Sequence, residues 1–264
     1  MNYLLFYIVI LLSNIIQGIT GFAGTILAMP FSLKLVGMGT AVPVLNALGM
    51  ASGIYVFLGN RKSVDRAELK RILVIMGPAL VAGLVIRTLL SGRPGLLYSI
   101  LGVIVLLIAV KGLYSLLLKG KHAAPLGKTE VPSGNGQPEL AWRGPSAPAF
   151  YGPLLLAGAG LVHGMFVCGG PLLIGYLAGR IGQKDRFRAT ISTVWIFLNG
   201  FLLITQIAGG QWTPELLKVQ LISLPFLIAG MFAGSLLYKR MSQRFFMILT
   251  YVLLLISTLT LFFK

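Results

Sequence analysis

Residues 16–25 read IQGITGFAGT, and residues 162–171 read VHGMFVCGGP. The second stretch follows the first at an offset of 146 residues, which aligns two glycines of one copy with two of the other and pairs Gln17 with His163. Each stretch lies in the middle of a long apolar segment, where glycines and small polar residues interrupt an ordinary membrane helix. A duplicated, glycine-broken apolar segment is typical of membrane transporters and indicates where the substrate binds.

The composition is that of a polytopic membrane protein. Hydrophobic residues make up 56% of the chain and charged residues only 11%, and the mean hydropathy is +0.89. A soluble domain could not solvate itself with so few charges. The formal net charge is +16, but the Lys and Arg residues lie mainly in short segments between apolar runs. There they orient a protein in the bilayer, so no nucleic-acid partner is predicted.

Two of the apolar runs are too long for one crossing. The runs cover about 2–35, 41–59, 72–90, 95–118, 149–179, 189–209, 216–238 and 245–263. Because about 20 helical residues cross a hydrocarbon core of about 30 Å, most runs predict one span each. The first and fifth runs contain the two motifs. We expect each to fold back at its glycines, as two short helices or as a span plus a re-entrant hairpin.

The distribution of basic residues predicts the topology. Sixteen of the 22 Lys and Arg residues lie in the segments 60–71, 119–148, 180–188 and 239–244, which we expect inside. The poorly charged segments 34–39, 91–95 and 210–215 are expected outside. If each long run crosses an even number of times, the chain forms two inverted repeats of five membrane segments with both termini outside. The alternative is four spans in each half, eight in all.

The predicted fold is therefore an all-α polytopic membrane protein, with the first pair of segments in each repeat broken or re-entrant at its glycine-rich motif. Residues 1–119 form the first repeat, 120–147 a cytoplasmic linker and 148–264 the second repeat. The linker is rich in Pro, Gly and Ser without apolar periodicity. We expect it to be disordered.

Each motif is expected to end one helix and start another. Pro171 is favoured in the first turn of a helix, so a helix is predicted to begin there. Thr20 and Gly21 can cap a helix that starts near Phe22 and is kinked or ended by Pro30. Two helix starts that face each other at mid-membrane would expose free N–H groups and the positive ends of two dipoles, which together form an anion site.

Glycines at the breaks would let a ligand touch the backbone. Gly24 and Gly170, the matched glycines, are predicted to leave their N–H groups open to the substrate. The chain has six acidic residues, and none lies deep inside an apolar run. Carriers of cations usually place a carboxylate in the membrane, so a Na⁺ or metal carrier is disfavoured and no metal or other cofactor is predicted.

The spans that follow the motifs add polar residues. Ser192, Trp195 and Asn199 share a helix face at i, i+3 and i+7, and Asn46 is the repeat partner of Ser192. The carboxamides of Asn46 and Asn199 can donate hydrogen bonds to an oxoanion. Alternatively, a buried Asn bridges two helices, and the glycines at the ends of 49–53 form a small-xxx-small packing motif.

Three further side chains have competing interpretations. His163 is the only histidine at membrane depth; it can bind an anion as imidazolium, carry a coupling proton, or stay neutral and bonded to a neighbour. Cys168 fits a small apolar filler better than a nucleophile. Arg87 lies near the end of a span and is expected to snorkel to the interface, not to bind substrate.

The two motifs with their flanking residues resemble the sulfite exporter TauE/SafE family, also described as the toluene sulfonate uptake permease type. The resemblance rests on residues 18–24 with Met29-Pro30, on Gly164 with 169–171, on Asn46 and on Arg61-Lys62. It covers nearly the whole chain. It implies a multi-pass carrier of the bacterial inner membrane for sulfite, sulfoacetate or other small anions. The second motif departs from the pattern, with Val167 where the first has Gly21.

The sequence thus predicts a secondary transporter for a small anion, in the first place a sulfur oxoanion or organosulfonate, with the lipid bilayer as its surroundings and protons as a candidate coupling ion. Alternatives are a passive anion channel and a carrier for a non-sulfur organic anion. An intramembrane enzyme is disfavoured because no HExxH or GxSxG pattern occurs. The sequence leaves the oligomeric state open. The predicted substrate-binding residues are Gln17, Gly18, Thr20, Gly21, Gly24, Thr25, Asn46, His163, Gly164, Cys168, Gly169, Gly170, Ser192, Trp195 and Asn199.

Overall fold

The computed structural model describes residues 2–21, 23–93, 130–132, 138–140, 151–177, 180–181 and 184–238, together with separate positions between 95 and 114. The helices are α1 (Asn2–Thr20), α2 (Gly24–Asn60), α3 (Arg66–Leu89), α4 (Tyr151–Phe166), α5 (Gly170–Leu177), α6 (Lys184–Ala208) and α7 (Pro214–Tyr238). A 3₁₀ turn, Arg61–Ser63, joins α2 to α3.

Five of the described helices, α1, α2, α3, α6 and α7, are long and apolar enough to cross a membrane. The prediction of an all-helical membrane protein is therefore confirmed. The count of five segments per half stays a prediction, because 245–263 lies outside the described residues and 95–118 is described only at separate positions. Within the linker, β1 (Glu130–Pro132) pairs antiparallel with β2 (Pro138–Leu140), so the expectation of a linker without any ordered structure is wrong at these residues.

The chain reverses direction between α1 and α2. A Cβ added at Gly24, the first residue of α2, would lie 3.0 Å from the carbonyl oxygen of Ser13 in α1. In one continuous helix these residues would be about 16 Å apart. The start of α2 therefore lies alongside α1.

The chain also reverses between α4 and α5. A Cβ at Gly169 would meet the carbonyl of Ala159, and one at Gly152, near the start of α4, would lie 3.1 Å from the ring of Tyr176 near the end of α5. The two helices thus form a hairpin whose ends are close together. By length, α4 and α5 have 16 and 8 residues, or about 24 and 12 Å, so neither matches the full thickness of a hydrocarbon core.

Both reversals use the same backbone conformation. Gly21 and Val167 are aligned by the 146-residue offset, and they have φ angles of 80° and 58°. Their amides bond the carbonyls of Gln17 and His163, at 2.6 and 2.7 Å. Each bond satisfies a carbonyl group in the last turn of a helix, α1 in the first reversal and α4 in the second. A residue in the left-handed conformation commonly does this at the end of a helix. Valine therefore takes the shape that the glycine takes, at a cost of about 1–2 kcal/mol.

Helix α2 differs from the prediction. It begins at Gly24, not near Phe22, and it continues through Pro30, which therefore does not end it. The interruption comes at Gly37, with φ 74° and ψ 171°. The predicted loop at 34–39 is thus a one-residue break between two helical arms. An isolated Pro is tolerated where neighbouring helices surround the freed carbonyl, and Pro30 is buried.

Two glycine-lined contacts join the N-terminal half to the C-terminal half. In the first, α1 packs on α7: Cβ atoms built at Gly18 and Gly230 would lie 2.7 Å from the carbonyl oxygens of Met231 and Leu11. The residues meet in the same order along both helices, so α1 and α7 run parallel. Such contacts let backbones approach closely, as small residues do in membrane helices.

In the second contact, α3 packs parallel to α4. Cβ atoms built at Gly160 and Gly164 would meet the carbonyls of Met76 and Leu80, and one at Gly83 would meet that of Leu161. The glycines at positions 164 and 83 correspond to those at 18 and 230. Equivalent glycines therefore make equivalent contacts in the two halves.

Ion pairs join the segments 60–71 and 180–188. Arg186 Nη2 lies 2.9 Å from Asp65 Oδ2, and Arg180 Nη1 lies 3.3 Å from Glu68 Oε1. Asp65 also caps α3 by accepting the amide of Glu68 at 3.1 Å. These contacts hold the two basic segments on one face of the protein. The eight-span alternative, with three crossings between the start of α3 and residue 180, would place them on opposite sides.

Candidate functional site

A small cavity lies where the two chain reversals meet. Residues of the N-terminal half contribute one wall and residues of the C-terminal half the other. The lining residues are Gln17, Thr25, Gly49, His163, Val167, Gly170, Trp195 and Asn199. The space open to the centre of a water molecule is about 10 Å³, which is roughly the room for a single water. A ligand of several heavy atoms therefore needs the walls to move apart.

His163 is held in place by two residues of α6. Its Nε2 lies 2.7 Å from Asn199 Oδ1, and its ring stacks on Trp195 with 4.9 Å between the ring centroids. If the neutral ring carries its proton on Nε2, this nitrogen donates to the Asn199 carbonyl. The buried Nδ1 has no partner among the described residues. The ring can thus accept a proton or a hydrogen bond at Nδ1 without losing its contact to Asn199.

Three hydrogen-bond donors on the cavity wall have no acceptor within the described part of the chain. They are the backbone N–H of Gly170, the indole Nε1–H of Trp195 and the amide Nδ2 of Asn199. The first of them begins α5, so it carries the partial positive charge of a helix start. None of the lining residues is acidic. The wall is therefore suited to a small anion and offers no carboxylate to a cation.

The aligned residues Gln17 and His163 make different hydrogen bonds near the two helix starts. Gln17 Oε1 accepts the amide of Gly24 at 2.7 Å, and its Nε2 donates to Ser52 Oγ at 3.1 Å. The prediction that Gly24 keeps an open N–H is thus wrong, and the N-cap position of this helix is Ala23. His163 turns to α6 instead and leaves the Gly170 amide uncapped. The two motifs are alike in backbone but not in hydrogen bonding.

Six of the fifteen predicted residues line the cavity, and eight others are described and are not among its lining residues. Those on the wall are Gln17, Thr25, His163, Gly170, Trp195 and Asn199. Whether they bind a substrate stays a prediction. Of the rest, Gly18, Gly164 and Gly169 face backbone atoms of neighbouring helices, where they allow close packing. The side chain of Thr20 lies outside the described residues.

The remaining predicted residues have structural contacts. A Cβ at Gly21 would lie 3.2 Å from Arg188 Cγ, and Arg188 Nη2 donates to the carbonyl of Gly18 at 3.0 Å. The thiol of Cys168 is buried and donates to the Phe166 carbonyl at 3.0 Å. Ser192 is buried in α6, where its carbonyl faces Gly53 of α2.

Asn46 bridges two helices. Its Nδ2 donates to the carbonyl of Asn199 at 3.0 Å and to Oε1 of Gln206 at 3.3 Å. It is fully buried and is not on the cavity wall. The contacts of Asn46 are therefore those of a buried asparagine that bridges two helices, which was the alternative interpretation of this residue.

Two residues of the wall, Gly49 and Val167, were not among the predicted ligands. Both are aligned with residues that were: Gly49 is the repeat partner of Trp195, and Val167 that of Gly21. A Cβ at Gly49 would lie 2.8 Å from Asn199 Nδ2. Gly49 thus leaves room for the Asn199 carboxamide. Its alignment with Trp195 by the repeat offset is the signal that could have predicted Gly49 as a wall residue.

Arg87 belongs to the buried face of α3, and its side chain is only 8% exposed. That its guanidinium reaches the membrane interface stays a prediction.

A family model described as sulfite exporter TauE/SafE matches residues 6–261 of the chain. No curated protein and no solved structure matches it. The match covers both glycine motifs and all eight lining residues of the cavity.

Proposed function

Because the chain belongs to the sulfite exporter TauE/SafE family, we propose that it is a secondary transporter of the bacterial inner membrane that carries a sulfur oxoanion or a small organosulfonate. The family is one of membrane transporters, and the five long apolar helices are those of a multi-pass membrane protein. We place the substrate in the cavity between the two chain reversals. The two halves are proposed to be inverted repeats of five segments each.

One observation carries this proposal: three of the residues that line the cavity have a hydrogen-bond donor without a described acceptor, and none of the lining residues is acidic. Sulfite and the sulfonate group present three oxygen acceptors each. The Gly170 N–H, the Trp195 Nε1–H and the Asn199 Nδ2 would satisfy them with neutral donors and a helix dipole. A neutral site holds an anion less tightly than a fixed cation would. Weak binding suits a carrier, since the substrate must also leave.

The size of the cavity supports a carrier over a passive channel. With room for about one water, the cavity must widen before it can hold an anion of several heavy atoms. A channel needs a continuous polar route, whereas a carrier encloses its site between two openings. We propose that the α4–α5 hairpin moves relative to α1 and α2 to admit the anion. A non-sulfur organic anion would meet the same donors and remains the alternative substrate class.

His163 is the proposed proton carrier, if transport is coupled to protons. Its unpartnered Nδ1 can take up a proton while Nε2 keeps its bond to Asn199. The resulting imidazolium would attract the anion beside it. Cys168, adjacent to the cavity wall, is the other titratable side chain there, and its thiol is already used by a backbone carbonyl. The coupling would then be one proton for each turnover of the site.

The test compares wild-type protein with Asn199→Asp. Purified protein is heated with sulfite, sulfoacetate, acetate or neutral dimethyl sulfone. An anion at 100 times its dissociation constant would stabilise the wild type by about 2.7 kcal/mol. The sulfone should not. Asn199→Asp has the same shape and keeps an oxygen for His163, but its carboxylate repels anions, so the stabilisation should vanish. Equal stabilisation of both proteins, or of the wild type by the sulfone, would show that the cavity is not an anion site.

A further inference from the structure

Arg87 is a buried arginine on α3. Its Nη1 is inaccessible and has no hydrogen-bond partner within the described part of the chain. No ion pair among the described residues includes it. The nearest acid along α3, Glu68, is 19 residues away, or about 28 Å in a helix, and is paired with Arg71 and Arg180. A charge that is buried and unpaired is costly, and inside a membrane protein it marks function.

The position of Arg87 relates it to the second chain reversal. It follows Ile72, Met76, Leu80 and Gly83 on the buried face of α3, the face that packs along α4. Position 84, one turn before Arg87, lies beside Gly164, where a Cβ would be 2.9 Å from the Leu84 amide nitrogen. Because α3 and α4 run parallel, Arg87 lies level with the last turn of α4 or just beyond it. That is the side of the reversal away from the 60–71 segment.

We propose that Arg87 is a second anion-binding group, which receives the substrate between the central cavity and the outer side of the membrane. This inference rests on the proposed function and deepens it. The cavity offers only neutral donors. Arg87 would provide, outside the cavity, the fixed positive charge that attracts the anion. The bound anion would supply the counter-charge that no described residue supplies. The ligand class is the same: a sulfite or sulfonate group, which the planar guanidinium binds through two parallel hydrogen bonds.

The experiment measures anion transport into proteoliposomes for wild type, Arg87→Gln, Arg87→Lys and Arg93→Gln. Arg93 is a matched control, since it is an exposed arginine just after the same end of α3. We expect Arg87→Gln to raise the half-saturating concentration of sulfite, or to lower the transport rate, by roughly tenfold or more, as loss of a charge-assisted hydrogen bond does. Arg87→Lys should keep much of the transport, and Arg93→Gln should resemble the wild type.

Melting without anion separates a binding role from a structural one. If the role of Arg87 is to bind an anion, Arg87→Gln removes an uncompensated charge from the anion-free protein, and the melting temperature should stay the same or rise. A clear fall in melting temperature would show that Arg87 is structural and would overturn the inference. Wild-type transport by Arg87→Gln would overturn it as well. Both results leave the proposed function intact, because that function fails only if the wild type itself neither binds nor transports the anions.

Discussion

At the scale of single residues, the glycines near the two chain reversals differ in what an added methyl group would meet. Those at positions 18, 164 and 169 face the backbone of another helix, and an added methyl group would collide with main-chain atoms that cannot move aside. Gly24 is of this kind too, since its Cβ would lie 3.0 Å from the carbonyl oxygen of Ser13. At Gly49 the nearest atom is instead the end of a side chain, Asn199 Nδ2. Gly49 lines the cavity, whereas the other four glycines are not among its lining residues.

We therefore expect Gly49→Ala to separate binding from stability. The new methyl group would push the Asn199 carboxamide from its place and disturb its bond to His163, while the helix gains the better propensity of alanine. The free energy of unfolding should change by less than about 1 kcal/mol, and the stabilisation by bound anion should be largely lost. Gly77→Ala is the control, since a Cβ there meets nothing within 4 Å. Anion stabilisation that survives Gly49→Ala unchanged would contradict the cavity assignment.

At the scale of helices, each chain reversal is anchored by a helix from the other half of the protein. Helix α1 lies along α7, and α4 lies along α3, in both cases with the helices parallel and with glycines at matched positions. These contacts hold the helix that leads into each reversal. The helix that leaves the second reversal, α5, has only 8 residues and is the shorter arm of its hairpin. We therefore assign the proposed motion to the tip of the α4–α5 hairpin, where the chain reverses. The glycine-lined contacts are expected to stay in place.

Alanine at the matched glycines Gly18 and Gly164 should destabilise the protein to a similar extent. Each methyl group would be forced against a backbone carbonyl, of Met231 in one case and of Leu80 in the other. Overpacking of this kind costs about 1–3 kcal/mol. Thermal melting or the yield of folded protein in detergent reads it out, with Gly175→Ala as control because nothing lies within 4 Å of its Cβ. If either variant melts like the control, its helix contact is looser than described.

At the scale of the whole molecule, the contacts bear on topology. The segments 60–71 and 180–188 are joined by Asp65–Arg186 and Glu68–Arg180 pairs, so they share one side. The reversal at 21–23 returns the chain along α1 before the long arm of α2 begins. Together these features support the proposal of two inverted halves with the basic segments inside.

Cysteine labelling checks this topology in a Cys168→Ser background, where serine can keep the bond to the Phe166 carbonyl. An impermeant thiol reagent should reach Asn2→Cys and Gly210→Cys from outside and Lys62→Cys from inside, following the positive residues. In the eight-span arrangement, positions 2, 62 and 210 would all lie on one side. Labelling of positions 2 and 62 from the same side would therefore reject the inverted five-plus-five proposal.

The sequence by itself determined the class of the protein and the place of its cavity. Apolar runs of spanning length predict membrane helices because the bilayer core has a fixed thickness. The offset of 146 residues led to both chain reversals, since the aligned residues Gly21 and Val167 take the same left-handed conformation. It also led to six wall residues, among them His163 and Asn199. These features are local or periodic, so a single chain reveals them.

Only the tertiary structure decided which groups are free and which are used. Whether the Gly24 amide is open depends on the Gln17 side chain, and whether Arg87 reaches water depends on how α3 lies against α4. Likewise, Asn46 bonds to α6 because that helix is beside it, not because of anything in its own span. Hydrogen bonds and burial depend on partners that are distant in the sequence, and a one-dimensional pattern does not say which partner each polar group will meet.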